Sequence, residues 1–299
     1  SLRFVASPAK AALRGWAQER GFEPPARPEG EGCAVRWLCY SALLRESNPP
    51  VRAAAGCFLS LFIDGEGRLS SCGSAPSYFP GLLGHGEGVT RLNTPTRLPS
   101  PLGGERAVSV SAGGCHSLAL TAGGAVWSWG DGTYGRLVGG AEGGVLVHMT
   151  VEAVAGQRGI AVSAGHQNSL AITADGAVWS WGYGGFGRLG HGDEHDQLLP
   201  KKIETFAGHR VIVVSAGYQH SLAITADGAV WSWGSGREGK LGHGDEQIQL
   251  LPKQVEALTG QRTVAVSAGG HHAIAVTADG AVFTWGKGES GCLGHGDDL

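Results

Sequence analysis

Histidine, aspartate, cysteine and tryptophan are the side chains here whose types could do chemistry, and their spacing limits what each can do. His191, His243 and His295 stand at one fixed interval inside the motif Leu-Gly-His-Gly-Asp, with His85 in a degenerate copy. Such a row could be a ring of metal ligands, or histidines that each bond their own loop. A residue repeated in every structural unit serves the unit, so the second reading is expected, with no metal. Asp175, Asp227 and Asp279 each precede a glycine between apolar runs, which is turn chemistry rather than acid catalysis. A glycine takes the aspartate's place in the Gly-Gly turn of 123–124 in another copy, which fits a turn and would cripple an acid. The cysteines at 33, 39, 57, 72, 115 and 292 form no Cys-x-x-Cys pair, which excludes a zinc site of paired ligands. Reduced, mostly buried thiols in an intracellular protein are expected instead. No Gly-x-Ser-x-Gly elbow, phosphate loop, His-Glu-x-x-His or strand-bounded dinucleotide fingerprint occurs, so neither catalysis nor a cofactor is expected.

The elements that position these residues repeat. Ser-Ala-Gly recurs at Ser111, Ser163, Ser215 and Ser267, a step of 52 residues, and Trp-Ser-Trp-Gly begins at Trp127, Trp179 and Trp231 in the same register. Segments 161–212 and 213–264 agree at 35 of 52 positions without a gap, so the units are structurally equivalent. Five copies are expected, at 53–104, 105–160, 161–212, 213–264 and 265–299. Within 211–257, the run 211–214, the run 221–225, the run 229–233 and a last strand over 250–258 make four strands. Ala-Asp-Gly closes the middle hairpin, and Pro252 suits a sheet edge. Four strands per unit of this length predict an all-β fold, a β-propeller of four-stranded blades. The last copy stops before its fourth strand, so an open arc, or a ring completed by 1–52, is expected. Residues 1–52 read as a short helix over 9–20 and a Pro/Gly-rich linker, with 32–39 faintly echoing a blade strand.

Composition closes off other classes. The formal net charge is -3 and only 16% of residues are charged, which argues against general capture of nucleic acid or membrane surfaces. No apolar run reaches the roughly 18 residues of a membrane helix, and no secretion signal opens the chain. A cytoplasmic or nuclear protein is expected.

Ala-Gly-x-x-His-Ser-Leu-Ala-Ile-Thr-Ala-Asp-Gly, Val-Trp-Ser-Trp-Gly and Gly-Arg-Leu-Gly-His-Gly-Asp together resemble the regulator of chromosome condensation family over 53–299. The resemblance implies the propeller fold strongly and function weakly, because function lies in sites grafted on folds. The founding member is an exchange factor for the small GTPase Ran, so exchange on a Ran-like GTPase is one implied activity. The 52-residue step leaves no room for the hairpin insertion that the founding member brings to its nucleotide. Other members carry ubiquitin-ligase or kinase domains, so a fragment of a larger enzyme is another reading. A plant ultraviolet-B photoreceptor in the family carries a tryptophan after the first glycine of the Gly-x-x-His turn. None of the four turns here does, and Trp129, Trp181, Trp233 and Trp285 are expected to fill the gaps between blades.

The principal expectation is a non-enzymatic scaffold that binds a protein partner. Differences between the two near-identical copies collect at 166–168 against 218–220, 183–188 against 235–240, and 195–196 against 247–248. A constant frame with divergent loop tips suits a binding scaffold. By resemblance, the partner meets the face made by the Gly-x-x-His turns, which places His116, His166, Tyr218, His220, His271 and His272 there. His116, His220 and His272 share a repeated position and equally suit a bond within their own blade. Tyr218 and His271 do not repeat and are the sharper candidates.

Overall fold

Ser-Leu-Ala-Ile-Thr has no charged residue and an unbroken apolar centre, and a strand covered on both sides reads as such a run rather than as an alternation. His116–Thr121, Asn168–Thr173 and His220–Thr225 are accordingly buried along their whole length. Around them the chain forms antiparallel sheets, each a simple meander in chain order. The computed structural model describes residues 53–295 apart from 78, 80, 87, 100, 101, 138–143 and 151–156. Contacts divide the chain into a unit of residues 50–287 and a second of 1–49 with 288–299. The expected helix over 9–20 and the blade echo at 32–39 lie outside the described residues.

The first unit holds five sheets. They are β1 (Ala53–Ala55), β2 (Leu59–Ile63), β3 (Leu69–Ser74) and β4 (Arg91–Arg97); β5 (Ala107–Ala112), β6 (His116–Thr121), β7 (Val126–Asp131) and β8 (Gly144–Thr150); β9 (Gly159–Ala164), β10 (Asn168–Thr173), β11 (Val178–Gly182) and β12 (Gln197–Lys202); β13 (Val211–Ala216), β14 (His220–Thr225), β15 (Val230–Gly234) and β16 (Gln249–Gln254); and β17 (Thr263–Ala268), β18 (His272–Thr277) and β19 (Val282–Gly286). The first strands β1, β5, β9, β13 and β17 pack on one another in succession, as the inner strands of propeller blades do. The fifth sheet has three strands among the described residues, which matches an incomplete propeller.

Two sequence expectations are corrected. The last strand of the fourth blade ends at Gln254, and Glu256–Leu258 is a 3-10 turn. Val255 and Leu258 are buried there, and the Leu258 amide donates to the Val255 carbonyl. The turn tucks both side chains inward, where a continued edge strand would leave one outside. Of the described cysteines only Cys115 is buried; Cys72 is half-buried, Cys57 and Cys292 are exposed, and none is paired.

Tryptophans join the blades. Trp129, Trp181 and Trp233 are fully buried, and Trp181 packs with Leu118, Leu120 and Val126 of the preceding blade. Each indole N–H that crosses a boundary finds a carbonyl: Trp181 donates to Arg136 at 2.9 Å, Trp233 to Arg188 at 2.8 Å and Trp285 to Lys240 at 2.9 Å. The ring supplies the buried area and the N–H fixes its angle, so the second Trp of the motif sets blade spacing. The hairpin aspartates are structural too. Asp175 accepts from the Thr173 hydroxyl at 2.7 Å and the Ala177 amide at 3.1 Å, and Gly176 takes φ +86. Asp227 repeats the arrangement, and these bonds hold both carboxyls below the usual range. No helix among the described residues is long and apolar enough to cross a membrane.

Candidate partner-binding face

The Ser-Ala-Gly segments end the inner strands, and neighbouring blades touch most closely there. A Cβ on Gly113 would sit 2.2 Å from the Gly165 carbonyl oxygen, and one on Gly165 would sit 2.7 Å from that of Gly217. Only glycine allows that approach. The next residue's amide exploits it: Gly114 donates to Gly165 at 3.1 Å, His166 to Gly217 at 3.1 Å and Tyr218 to Gly269 at 3.2 Å. The serines add a second tie, because Ser111, Ser163 and Ser215 hydroxyls accept the amides of Ala164, Ala216 and Ala268 at 2.9–3.0 Å. Residues 114, 166, 218 and 270 therefore stand in a fixed row across four blades.

Non-repeating side chains occupy that row. Tyr218 is 42% exposed, with its ring 4.2 Å from His166 and 6.3 Å from His271, the latter pair stacked. His271 approaches the Glu238 carboxylate at 2.8 Å, and Lys287 lies 3.9 Å from the same group. The loops after the third strands reach the same side. Each carries a 3-10 turn whose middle residue, Tyr134, Phe186 or Glu238, has φ of 61 to 64. A non-glycine residue in that left-handed region costs of order 1 kcal/mol or more, and here it aims a variable side chain outward. Tyr134 lies 4.8 Å from Tyr183 across a blade boundary. Below them Arg136, Arg188 and Lys240, one repeat apart, are buried.

The structure separates the six histidine and tyrosine candidates. Tyr218 and His271 are exposed, His166 and His272 half-buried, and His116 and His220 fully buried. The last two cannot touch a partner in this fold. His116 Nε2 lies 2.7 Å from the Ser169 hydroxyl of the next blade, which itself donates to the Arg136 carbonyl at 3.2 Å. With its one proton so used, the hydroxyl accepts from His116, which makes the histidine a neutral Nε2–H donor. Burial, Arg136 and His166 push it down to about 3. His220 falls to about 3 for the same first cause, with Lys240, His272, His271 and Arg188 adding repulsion. Neither His220 nitrogen has a partner. Ser221 serves Asn168 at 3.4 Å in the preceding boundary, whereas the corresponding residue facing His220 is Ala273.

The Leu-Gly-His-Gly-Asp histidines bond their own blades. The Ser180 hydroxyl donates to the Leu189 carbonyl at 2.7 Å and accepts from His191 Nε2 at 2.8 Å. Ser232 with Leu241 and His243, and Ser71 with Leu83 and His85, repeat the triplet. Burial depresses all three histidines, His191 to about 4. Among the described residues no group of His, Cys, Asp or Glu is placed to hold a metal.

Residues 166, 183, 185, 186, 188, 195 and 196, which differ between the near-identical third and fourth blades, gather on this face, while the differences at 202–212 lie by the Gly176 hairpin at the other end of the strands. Arg188 donates to the Tyr218 carbonyl at 2.9 Å, and the Tyr183 ring lies 4.7 Å from that guanidinium. Asp196 accepts the Gly184 amide at 2.8 Å, which draws 195–196 to the same side. Sequence reasoning named the turns but missed Tyr134, Tyr183 and Glu238. Tyr134 and Glu238 are the third residue of a Gly-x-x-Gly-Arg/Lys loop, which varies in every copy, and Tyr183 stands just before that loop's first glycine.

Residues 40–299 match the RCC1-like domain family. The chain belongs to that family. It is 39% identical over 252 residues to the E3 ubiquitin-protein ligase HERC2 of Mus musculus, covering 83% of this chain and 5% of the relative. It is 41% identical over 218 residues to the ultraviolet-B receptor UVR8 of Arabidopsis thaliana, covering 73% and 49%. The RCC1-like chain thus spans a small part of the first relative and about half of the second. Among solved structures, Prp20p of Saccharomyces cerevisiae superposes with TM-score 0.71 at 24% identity, covering 82% of this chain and 60% of that one. Human WBSCR16 gives 0.70 at 25%, covering 78% and 61%. The likeness to Prp20p shows the RCC1-like fold.

Proposed function

We propose that this chain is a non-enzymatic protein-interaction module and that Tyr218 and His271, flanked by His166 and His272, contact the partner. The observation that carries the reading is the convergence of non-repeating side chains on one face of a repeating frame. The aromatic rings there are held by backbone bonds between blades, so little ordering entropy opposes binding, and an exposed tyrosine is a hot-spot residue. Replacing Tyr218 and His271 by alanine together is expected to weaken partner capture by about 2 kcal/mol or more. The fold is expected to survive, because both side chains lie outside the core. Unchanged capture by a folded double variant would move the site to the other face or the rim.

A second reading, nucleotide exchange on a Ran-like small GTPase, is favoured by the likeness to Prp20p, whose structure was reported with its binding to Gsp1p and histones. Mixing the chain with nucleotide-loaded Ran and following release tests it; no acceleration removes it. A third reading makes this propeller the recognition part of a larger ubiquitin ligase, favoured by HERC2. The full coding sequence decides that.

A further inference from the structure

The three buried cations beneath the face are not equally neutralised. Arg136 lies 3.1 Å from the Asp131 carboxylate. One repeat later the aspartate position is Tyr183, and one repeat beyond that it is Ser235. Arg188 therefore has no carboxylate in ion-pair range among the described residues. Its Nε donates to the Gly185 carbonyl at 2.9 Å, its Nη1 to the Tyr218 carbonyl at 2.9 Å, and the rings of Tyr183 and Phe186 lie 4.7 and 5.7 Å away. Glu238, the acidic side chain nearest Lys240 in sequence, is engaged by His271. A buried cation without a counter-ion projects its field through the low-dielectric layer above it. That field reaches the surface, since burial first and then Arg136 and Arg188 hold His166 below its ordinary value.

We infer that the partner presents an acidic peptide segment, whose carboxylates settle over Arg188 among Tyr134, Tyr183, His166 and Tyr218. This rests on the module reading above. Phenolic hydroxyls and imidazole N–H groups can donate, and a carboxylate only accepts, so the surface donors match it as well as the buried charge does. The carboxylates on this side are already engaged: Asp196 accepts the Gly184 amide and acts on Arg188 from beyond ion-pair range, and Glu238 meets His271. A basic segment would have to sit over Arg188 itself.

Fluorescence anisotropy of the full chain with two labelled peptides tests this, one alternating aspartate with glycine and one alternating lysine with glycine. The acidic peptide is expected to bind at least about tenfold tighter, to weaken as salt rises, and to lose about tenfold on Tyr218→Ala. Arg188→Lys should retain the preference and Arg188→Met should lose it. If Arg188→Met does not fold, the Tyr218→Ala and salt arms still decide. Preference for the lysine peptide, equal binding, no binding, or acidic binding indifferent to Tyr218→Ala would each overturn the inference. Partner capture that needs Tyr218 and His271 but is not competed by the acidic peptide would sink this inference and leave the module reading standing. Loss of competition together with capture indifferent to both residues would sink both.

Discussion

Substituting His220 by asparagine isolates one buried titration. Asn168 already occupies the matching position one blade earlier, fully buried, so asparagine fits the site. In the fold His220 is pushed down to about 3 from an ordinary 6.5, chiefly by burial. Between those values the unfolded chain binds a proton that the native state refuses, so stability falls as pH drops through 6.5 and goes on falling toward 3. At pH 5 the histidine has lost 1.5 pH units of a slope of 1.36 kcal/mol each, about 2 kcal/mol. His116, equally depressed, loses a similar amount in both proteins and cancels. Urea unfolding of wild type and His220→Asn at pH 7.5 and pH 5 therefore measures a difference of differences. The variant is expected to lose about 2 kcal/mol less than wild type on acidification. Parallel losses would refute the reasoning, because they would mean that His220 is protonated in the native state.

Three further outcomes follow from the blade contacts. Ala273→Ser should raise stability by about 1 kcal/mol in urea unfolding at neutral pH, by giving His220 the hydroxyl that Ser169 gives His116. Gly113→Ala should cost about 3 kcal/mol, because its methyl would meet the Gly165 carbonyl at 2.2 Å, while Gly65→Ala, with open space around it, should change the urea midpoint little. Asp227→Ala should cost about 1 kcal/mol through the lost turn bonds and leave partner binding unchanged in a titration.

The propeller was legible because its determinants repeat. Asp-Gly turns encode local hairpins, the paired tryptophans repeat one contact at each blade boundary, and the 52-residue period with the near-identity of blades three and four encodes the equivalence of the units. The role of the Leu-Gly-His-Gly-Asp histidines was legible for the same reason, as Ser180 and His191 bond within one blade, but the repeated position of His116 and His220 was misjudged: His116 bonds Ser169 of the next blade and His220 bonds nothing in its own. The last strand of the blade was read too long because Val255 and Leu258 are apolar in either state, and only tertiary packing turns them inward. The surface cysteines were misjudged because thiol burial depends on position in the fold. The face itself was half legible. The Gly-x-x-His turns were visible as motifs, but the pairing of Tyr134 with Tyr183 and of His271 with Glu238 joins residues from different blades, which no local pattern displays.

The most direct test of the interaction face is a footprint. The chain would be labelled on histidine and tyrosine side chains with and without its captured protein partner, and protection read by mass spectrometry. The account predicts protection of Tyr218, His166, His271 and Tyr134, with no change at His209, which lies beside the Asp227 hairpin at the opposite end of the strands. Protection of His209, with Tyr218 and His271 labelled as in the free chain, would contradict it.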